Sequence, residues 1–193
     1  MSKIVKAFEL FDEQNAHDPN KEHFKGKVYP KELLYSMRMT DRLNEYAPNA
    51  NDSLQLAARC QHICRWKIPR ESYDMDRTGY LRWRNDLKKF HVEVASEILK
   101  KVGYGDETIS QVRFLLEKKQ LKKNEDTQTL EDVICLVFLE HYLEPFAERH
   151  PEEKVIQILQ KTWSKMSGKG QKAALGLAMS KKSFSIINKA LGS

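Results

Sequence analysis

Two histidines and one aspartate fall on three different predicted helices, in a combination of side chains that suits a divalent metal ion. His62 lies on the helix predicted after Asn51, His91 on the helix predicted after Thr78, and Asp132 near the start of the most apolar helix. Two imidazoles and one carboxylate leave coordination positions open for water. The three residues therefore predict a metal centre that activates a bound water molecule.

The two histidines have different surroundings in the sequence. His91 falls inside the apolar arc of its helix, between Leu87 and Ala95, so we expect its ring to point inward. An inward imidazole needs a partner for each ring nitrogen, which a metal ion or a buried carboxylate would supply. His62 lies off the apolar arc of its own helix, and the simpler interpretation is a hydrogen-bonded histidine packed on Trp66.

Basic and aromatic side chains occur close to both histidines. Guanidinium groups suit phosphate or carboxylate oxygens because their donors form a fork, and tyrosine can stack on a base or a sugar. A surface cluster of salt bridges would give the same pattern in one sequence. The residues predicted to hold an anionic substrate are Arg59, Arg65, Arg70, Tyr80, Arg82, Arg84 and Lys118.

Residues 129–147 form a predicted helix that is apolar on all sides and yet carries acids. Burying an unpaired carboxylate is costly, so these acids need a cation, a metal ion or hydrogen-bond donors. We expect Glu131 or Glu140 to orient or deprotonate the attacking water. The alternative for Glu131 and Asp132 is an ordinary first helical turn, in which acids complement the helix dipole after an N-cap at Thr129.

Apolar periodicity predicts helices along the whole chain, so the expected fold class is all-α, a single helical bundle. Helix-length patterns cover residues 2–13, 30–47, 53–66, 78–102, 106–119, 129–147 and 151–166, and one or two short basic helices follow Ser167–Gly170. No stretch shows a strand pattern longer than four residues. The length of 193 residues predicts one domain, 1–193.

Positive charge is concentrated at the C-terminal end. The formal net charge is +6, but residues 161–193 hold seven lysines and no acid, whereas the other 160 residues hold 26 basic and 27 acidic side chains. This lysine-rich segment is either a solvated face or an element that binds nucleic acid or another anionic partner. No segment is apolar enough for a membrane span, so we expect no membrane partner. We expect a cytoplasmic protein, with a nuclear location as the alternative.

Several strings of the chain resemble a family of small proteins described as a domain of unknown function. The strings are DEQNAHDPN, LAARCQHICRWKIPR, GYLRWRNDLKKFHVEVASEIL and LEDVICLVFLEHYLEPFA, and they extend over nearly the whole chain. More distantly, histidines on successive helices followed by an aspartate are similar to the HD-domain metal-dependent phosphohydrolases. That resemblance implies an HD-domain-like bundle with His62, His91 and Asp132 as metal ligands. It departs from the usual pattern because Val92, not an aspartate, follows His91.

Two functions from different classes follow. The first is a metal-dependent hydrolase of a phosphorylated small molecule or nucleotide, with a divalent metal ion as cofactor. The alternative is a non-catalytic helical module that binds nucleic acid or an anionic partner through its arginines and its lysine-rich segment. Bound metal that is lost in His91→Ala would favour the hydrolase, and salt-sensitive binding of RNA or DNA would favour the module.

Overall fold

The structure, a computed structural model, describes residues 2–192 and groups them into two compact units. The first unit comprises residues 2–44 and 48–119, and the second comprises residues 45–47 and 120–192. Helices dominate both units, which confirms the all-α prediction. The single domain and the HD-domain-like bundle stay predictions.

The first unit contains most of the charged and aromatic residues singled out above. Its elements are α1 (Lys3–Ala16), β1 (Lys21–Phe24), β2 (Lys27–Pro30), α2 (Lys31–Tyr46, whose last two residues group with the second unit), α3 (Asp52–Cys60), α4 (Arg77–Val102) and α5 (Asp106–Leu116). Helix α3 packs against α1 and α5, and α4 packs against the same two helices. The apolar residues Phe11, Leu56, Leu99 and Leu115 are fully buried in this unit.

Strands β1 and β2 form an antiparallel hairpin in which Lys21 pairs with Pro30 and Phe24 with Lys27. The turn residues Lys25 and Gly26 have φ values of +48° and +75°, which suit a two-residue hairpin turn that follows the twist of the strands. Each strand is four residues long, which agrees with the absence of any strand pattern longer than four residues in the sequence.

Helix α3 ends at Cys60, so the prediction of a helix as far as Trp66 is wrong beyond that residue. The backbone N–H of Cys64 donates to the side-chain oxygen of Asn15 at 3.0 Å, and Cys64 has a left-handed φ of +54°. A hydrogen bond to another element thus takes the place of a helical one. As a result His62 lies in a tight turn between α3 and α4 rather than on a helix face.

The second unit is built on the most apolar stretch of the chain. Its elements are α6 (Glu125–Val137), a π-helical turn (Phe138–Tyr142), α7 (Leu143–Glu148), α8 (Glu152–Lys165), α9 (Gly168–Leu175) and α10 (Lys181–Leu191). Helices α8, α9 and α10 bury Leu159, Ala174 and Ile187 against Leu136 and Leu139. One or two short basic helices were predicted after Ser167–Gly170, and two are present, α9 and α10, although α9 already begins at Gly168.

The predicted central helix 129–147 is interrupted by the π-helical turn at Phe138–Tyr142. Pro145 explains the interruption, since it has no N–H to donate to the carbonyl four residues earlier and its ring crowds that carbonyl. Leu136, Leu139 and Leu143 are nevertheless buried along the whole length of the stretch. The expectation of an apolar rod at the centre of the core therefore holds for the second unit.

Candidate functional site

The first unit brings Glu32 of α2 and His62 of the α3–α4 connection together. The Nδ1 atom of His62 lies 3.4 Å from a carboxylate oxygen of Glu32. The imidazole stacks on the ring of Tyr35, with 4.2 Å between ring centroids and 13° between their planes. The Glu32 residue is 7% exposed, whereas the side chain of His62 is 24% exposed. A buried carboxyl is thus joined to an imidazole that a ligand can reach, and we call this pair the Glu32–His62 site.

His91 forms the inner wall of this site. It is 4% exposed, and its ring centroid lies 6.0 Å from that of His62. The Nδ1 atom lies 2.8 Å from the carbonyl oxygen of Ile63, so Nδ1 carries the proton and donates it. The Nε2 lone pair is buried and finds no hydrogen-bond partner among residues 2–192. The inward position predicted for His91 is therefore confirmed.

Arg65 lies across the outer side of the site. Its guanidinium stands 4.8 Å from the ring centroid of Trp83, and its Nε atom is 4.0 Å from Glu32. Its Nη1 atom donates to Nε2 of His62 at 3.3 Å. Because a guanidinium can only donate, Nε2 of His62 must accept, and the imidazole proton is on Nδ1, facing the carboxyl of Glu32.

Further cations lie close to His62. Arg84 and Lys118, together with Lys31, are near enough to lower the pKa of the imidazole. The Nη1 atom of Arg84 also donates to the hydroxyl of Tyr80 at 3.1 Å. Lys118 has a left-handed φ of +56°, an uncommon conformation for a residue other than glycine. The positive charge around the site is suited to an anionic ligand.

Burial is the main influence on the acid of the site. It raises the pKa of Glu32 from 4.5 to about 7, and the neighbouring Arg65 and Lys31 only partly oppose this shift. Glu32 therefore exchanges its proton near neutral pH, where an ordinary glutamate stays ionised.

Burial has the opposite effect on the two imidazoles, because it disfavours their protonated forms. The pKa of His62 is lowered well below 6.5 by burial and by the nearby Arg65 and Lys118. The pKa of His91 is lowered to about 3 by burial and by the neighbouring His62. Both rings are therefore neutral at physiological pH, so each keeps one unprotonated ring nitrogen.

The last turn of α1 and the segment after it hold both halves of the site in place. A carboxylate oxygen of Asp18 accepts the backbone N–H of Glu32 at 3.0 Å, and the other oxygen accepts from Asn20. Asn15 holds the backbone of Cys64 in the turn that carries His62. The DEQNAHDPN string thus positions α2 and the α3–α4 connection together.

A family model covers most of the chain. It is described as a domain of unknown function (DUF4202), and it matches residues 5–187. The chain belongs to this family. No curated protein and no solved structure matches the chain.

Asp132, the third predicted metal ligand, lies in the second unit and is 1% exposed. Its carboxylate accepts hydrogen bonds from the hydroxyl of Tyr46, the amide of Gln128, and both the backbone N–H and the hydroxyl of Ser167. All of these donors belong to the second unit. Asp132 thus ties α6 to the N-terminus of α9, and donors meet the need of the buried acid.

The two acids predicted to act on the water also lie in the second unit. Glu131 is 3% exposed and lies 3.8 Å from the ammonium group of Lys165. Glu140 lies in the π-helical turn, 3.3 Å from His141. The structure therefore brings His62 and His91 together in the first unit and assigns Asp132, Glu131 and Glu140 to the second.

The predicted substrate-binding residues divide in the same way. Arg65, Arg84, Tyr80 and Lys118 lie around the Glu32–His62 site. Arg59 pairs instead with Asp12 and also donates to Thr40, so it ties α3 to α1 and α2. Arg70 donates to the backbone carbonyls of residues 73, 74 and 76 and holds the loop before α4, and Arg82 is exposed on α4.

Two of the predicted metal ligands, His62 and Asp132, have other partners in the structure. His62 has Glu32 on one ring nitrogen and Arg65 on the other, and Asp132 is fully hydrogen-bonded within the second unit. Within residues 2–192, no group of three or more His, Cys, Asp or Glu side chains is placed to hold a metal ion. The divalent metal cofactor stays a prediction, and no chemical step below is assigned to it.

The sequence patterns did not single out Glu32, Asn15, Asp18 or Tyr35. Glu32 follows Pro30 in the first turn of a helix, where an acid is ordinarily a partner of the helix dipole. The only signal was the position of Glu32 on the same helical arc as Tyr35 and Met39, three and seven residues further on, since an acid on an apolar arc is prone to burial. Long-range packing of α2 against the α3–α4 connection was needed to reveal its role.

The lysine-rich segment is partly engaged in contacts of the second unit. Lys165 lies near Glu131, Lys169 donates to the carbonyl of Tyr46 at 3.0 Å, Lys182 lies 3.6 Å from Glu148, and Lys189 lies 2.7 Å from Glu152. Binding of nucleic acid through residues 161–193 stays a prediction. None of the described helices has the length and hydropathy to cross a membrane.

Proposed function

We propose that the first unit binds a phosphorylated small molecule and hydrolyses it at the Glu32–His62 site. The observation that carries this proposal is the carboxyl of Glu32, buried and with a pKa near 7, placed 3.4 Å from the Nδ1 atom of a neutral imidazole. A carboxylate that orients an imidazole through Nδ1 leaves Nε2 as a general base. Strongly perturbed acids and bases that lie together are typical of catalytic sites.

The proton transfers follow from the tautomer of His62. Nε2 of His62 removes a proton from a water molecule while the water oxygen forms a bond to phosphorus. The carboxylate of Glu32 stabilises the imidazolium that results. As the bond from phosphorus to the leaving oxygen breaks, that oxygen takes a proton from a solvent water molecule, and the imidazolium then gives its proton to the hydroxide that results, so atoms and charges balance.

The phosphoryl group would be bound by the cations Arg65, Arg84 and Lys118. Arg65 donates to Nε2 of His62 at the long distance of 3.3 Å, so the bond is weak and is readily exchanged for one to a phosphoryl oxygen. Arg84 and Lys118 add positive charge near His62. Movement of Arg65 onto the substrate would free Nε2 at the moment when the base is needed.

The test is a phosphatase assay with matched histidine variants. Wild type, His62→Asn and His23→Asn are assayed with a panel of phosphate monoesters, once after chelation and once with added divalent metal ions. His23 is an exposed residue of β1 and serves as the control. Loss of the general base is expected to lower kcat by about a hundredfold or more in His62→Asn, with His23→Asn unchanged. Equal rates in all three proteins would contradict the proposal, and activity only with added metal would support the predicted cofactor.

A further inference from the structure

We infer that the aromatic surface of α4 beside the Glu32–His62 site is a base-binding subsite, so that the phosphorylated substrate is a nucleotide. This inference rests on the proposed function and names its substrate class. The surface consists of Tyr80 and Trp83, one helical turn apart, with 5.9 Å between their ring centroids.

The two rings differ in exposure and in hydrogen bonding. Trp83 is 9% exposed, and its Nε1–H donates to the carbonyl oxygen of Ile68 at 2.9 Å, which fixes its orientation. Tyr80 is 42% exposed, and its hydroxyl accepts a hydrogen bond from Arg84. A fixed ring thus supports a second ring that presents a large part of its surface to a ligand.

This aromatic surface is continuous with the cations of the site. Arg65 covers the face of Trp83 while its other side faces His62 and Glu32, and Arg84 contacts Tyr80. A ligand whose phosphoryl group is held by Arg65 and Arg84 would have its next few atoms beside Tyr80. In a nucleotide the sugar and then the base follow the phosphate, so the base would be placed at this aromatic surface.

The chemistry of the surrounding surface favours the same ligand. Residues 77–84 contain three arginines and no acid, and Met75, Tyr80 and Leu81 are exposed within a short stretch. Exposed apolar side chains that lie among cations are typical of binding surfaces. A base offers a flat apolar face for Tyr80, and its phosphate offers negative charge for the arginines, whereas a sugar phosphate would use the arginines alone.

The experiment compares ligands that differ only in the base. Binding of AMP, ribose 5-phosphate and inorganic phosphate is measured by calorimetry on the full chain, in wild type, Tyr80→Leu and Tyr80→Phe. Tyr80→Leu removes the aromatic face at an exposed position, so the fold is expected to persist, and circular dichroism checks this. Tyr80→Phe keeps the ring and removes only the hydroxyl.

We expect AMP to bind wild type about tenfold more tightly than ribose 5-phosphate, and Tyr80→Leu to remove this preference while ribose 5-phosphate binds as before. Tyr80→Phe should retain the preference. Equal affinities of AMP and ribose 5-phosphate for wild type would overturn the base subsite and leave the phosphate site standing. Failure of all three ligands to bind would overturn both. Binding of single-stranded oligonucleotides much more tightly than AMP, with a steep salt dependence, would replace the nucleotide by a nucleic acid strand.

Discussion

Among the single residues of the Glu32–His62 site, Glu32 decides by its protonation state what the site can do. Burial raises the pKa of this carboxyl to about 7, so both its protonated and its ionised forms are present at neutral pH. Both neighbouring imidazoles are neutral at that pH. The protonated form of Glu32 favours the folded state, whereas the ionised form orients His62 for catalysis. Each of these roles gives its own pH dependence.

The first prediction concerns stability. The folded pKa of Glu32, about 7, exceeds its unfolded value of 4.5, so its favourable contribution is complete below pH 4.5 and is lost as pH rises through 7. The loss corresponds to about 3 kcal/mol. Glu32→Gln should therefore be more stable relative to wild type at pH 8 than at pH 5, by urea unfolding at both values. Because the pKa of His91 is about 3, this ring is neutral in both folded proteins at pH 5 and at pH 8, so it cancels from the comparison.

Glu93→Gln, at an exposed position of α4, is the control and should show the same difference from wild type at both pH values. If Glu32→Gln behaved like this control, Glu32 would have an ordinary pKa, and the proton transfer proposed for the site would lose its basis.

The second prediction concerns the rate. The general base works best when Glu32 is ionised, so kcat at saturating substrate should rise with pH through about 7 and then level off. Assays between pH 6.5 and 9 avoid most of the second ionisation of a phosphate monoester, near pH 6. In Glu32→Gln the rise should disappear together with most of the activity. A kcat that falls steadily over this range would show that the protonated acid is the active form.

Single residues were predicted unevenly from the sequence. The inward position of His91 followed from helical periodicity, because Leu87, His91 and Ala95 are four residues apart and lie on the same buried face of α4. The partner of His62 could not be predicted, since Glu32 is thirty positions away in sequence and reaches it only through packing. The tautomer of His62 likewise depends on Arg65, whose direction is set by Trp83.

At the scale of elements, the junction of α6 and α9 shows how a buried acid can serve structure. Asp132 accepts the backbone N–H of Ser167 at the start of α9, as an anion at a helix N-terminus does. The sequence predicted Thr129 as an N-cap in this region, but α6 begins at Glu125 after the N-cap Asn124, and the N-cap of α9 is Ser167. The contact of Asp132 with Ser167 could not be predicted, because the two residues are 35 positions apart in the sequence.

The third prediction tests the close approach at this junction. A Cβ atom at Gly170 would stand 2.6 Å from the carboxyl group of Asp132, whereas a Cβ atom at Gly168, in the same helix, would meet nothing within 4 Å. Gly170→Ala should lower the free energy of unfolding by about 1–3 kcal/mol. Gly168→Ala should be neutral or slightly stabilising, because alanine favours helices. Chemical denaturation of both variants makes the comparison, and equal stabilities would mean that Asp132 is not held against α9.

The fourth prediction separates the structural role of Asp132 from the metal role given to it by the sequence. Asp132→Asn replaces a charged acceptor of four hydrogen bonds, so we expect it to lower the free energy of unfolding by about 2 kcal/mol or more. Any divalent metal that copurifies should remain in the folded variant, by elemental analysis. Metal that is lost with stability unchanged would restore Asp132 as a ligand.

In the whole molecule, the lysines of residues 161–193 are less available for a partner than the sequence alone indicates. The excess of lysines in residues 161–193 predicted a segment that binds anions, yet four of the seven lysines contact acids or a carbonyl of the second unit.

The helical class and most helix positions followed from periodicity and from Pro and Gly signals. The division into two compact units and the α3 end at Cys60 did not, because both depend on contacts between distant segments.

The most direct test of the account is a long-range proton–nitrogen NMR spectrum of the histidine side chains at pH 8, recorded before and after addition of a phosphate monoester. We predict that His62 is neutral with its proton on Nδ1, and that the ester shifts the Nε2 resonance as Arg65 moves to the phosphoryl group. A proton on Nε2, or a His62 spectrum that the ester leaves unchanged, would contradict a general base at the Glu32–His62 site.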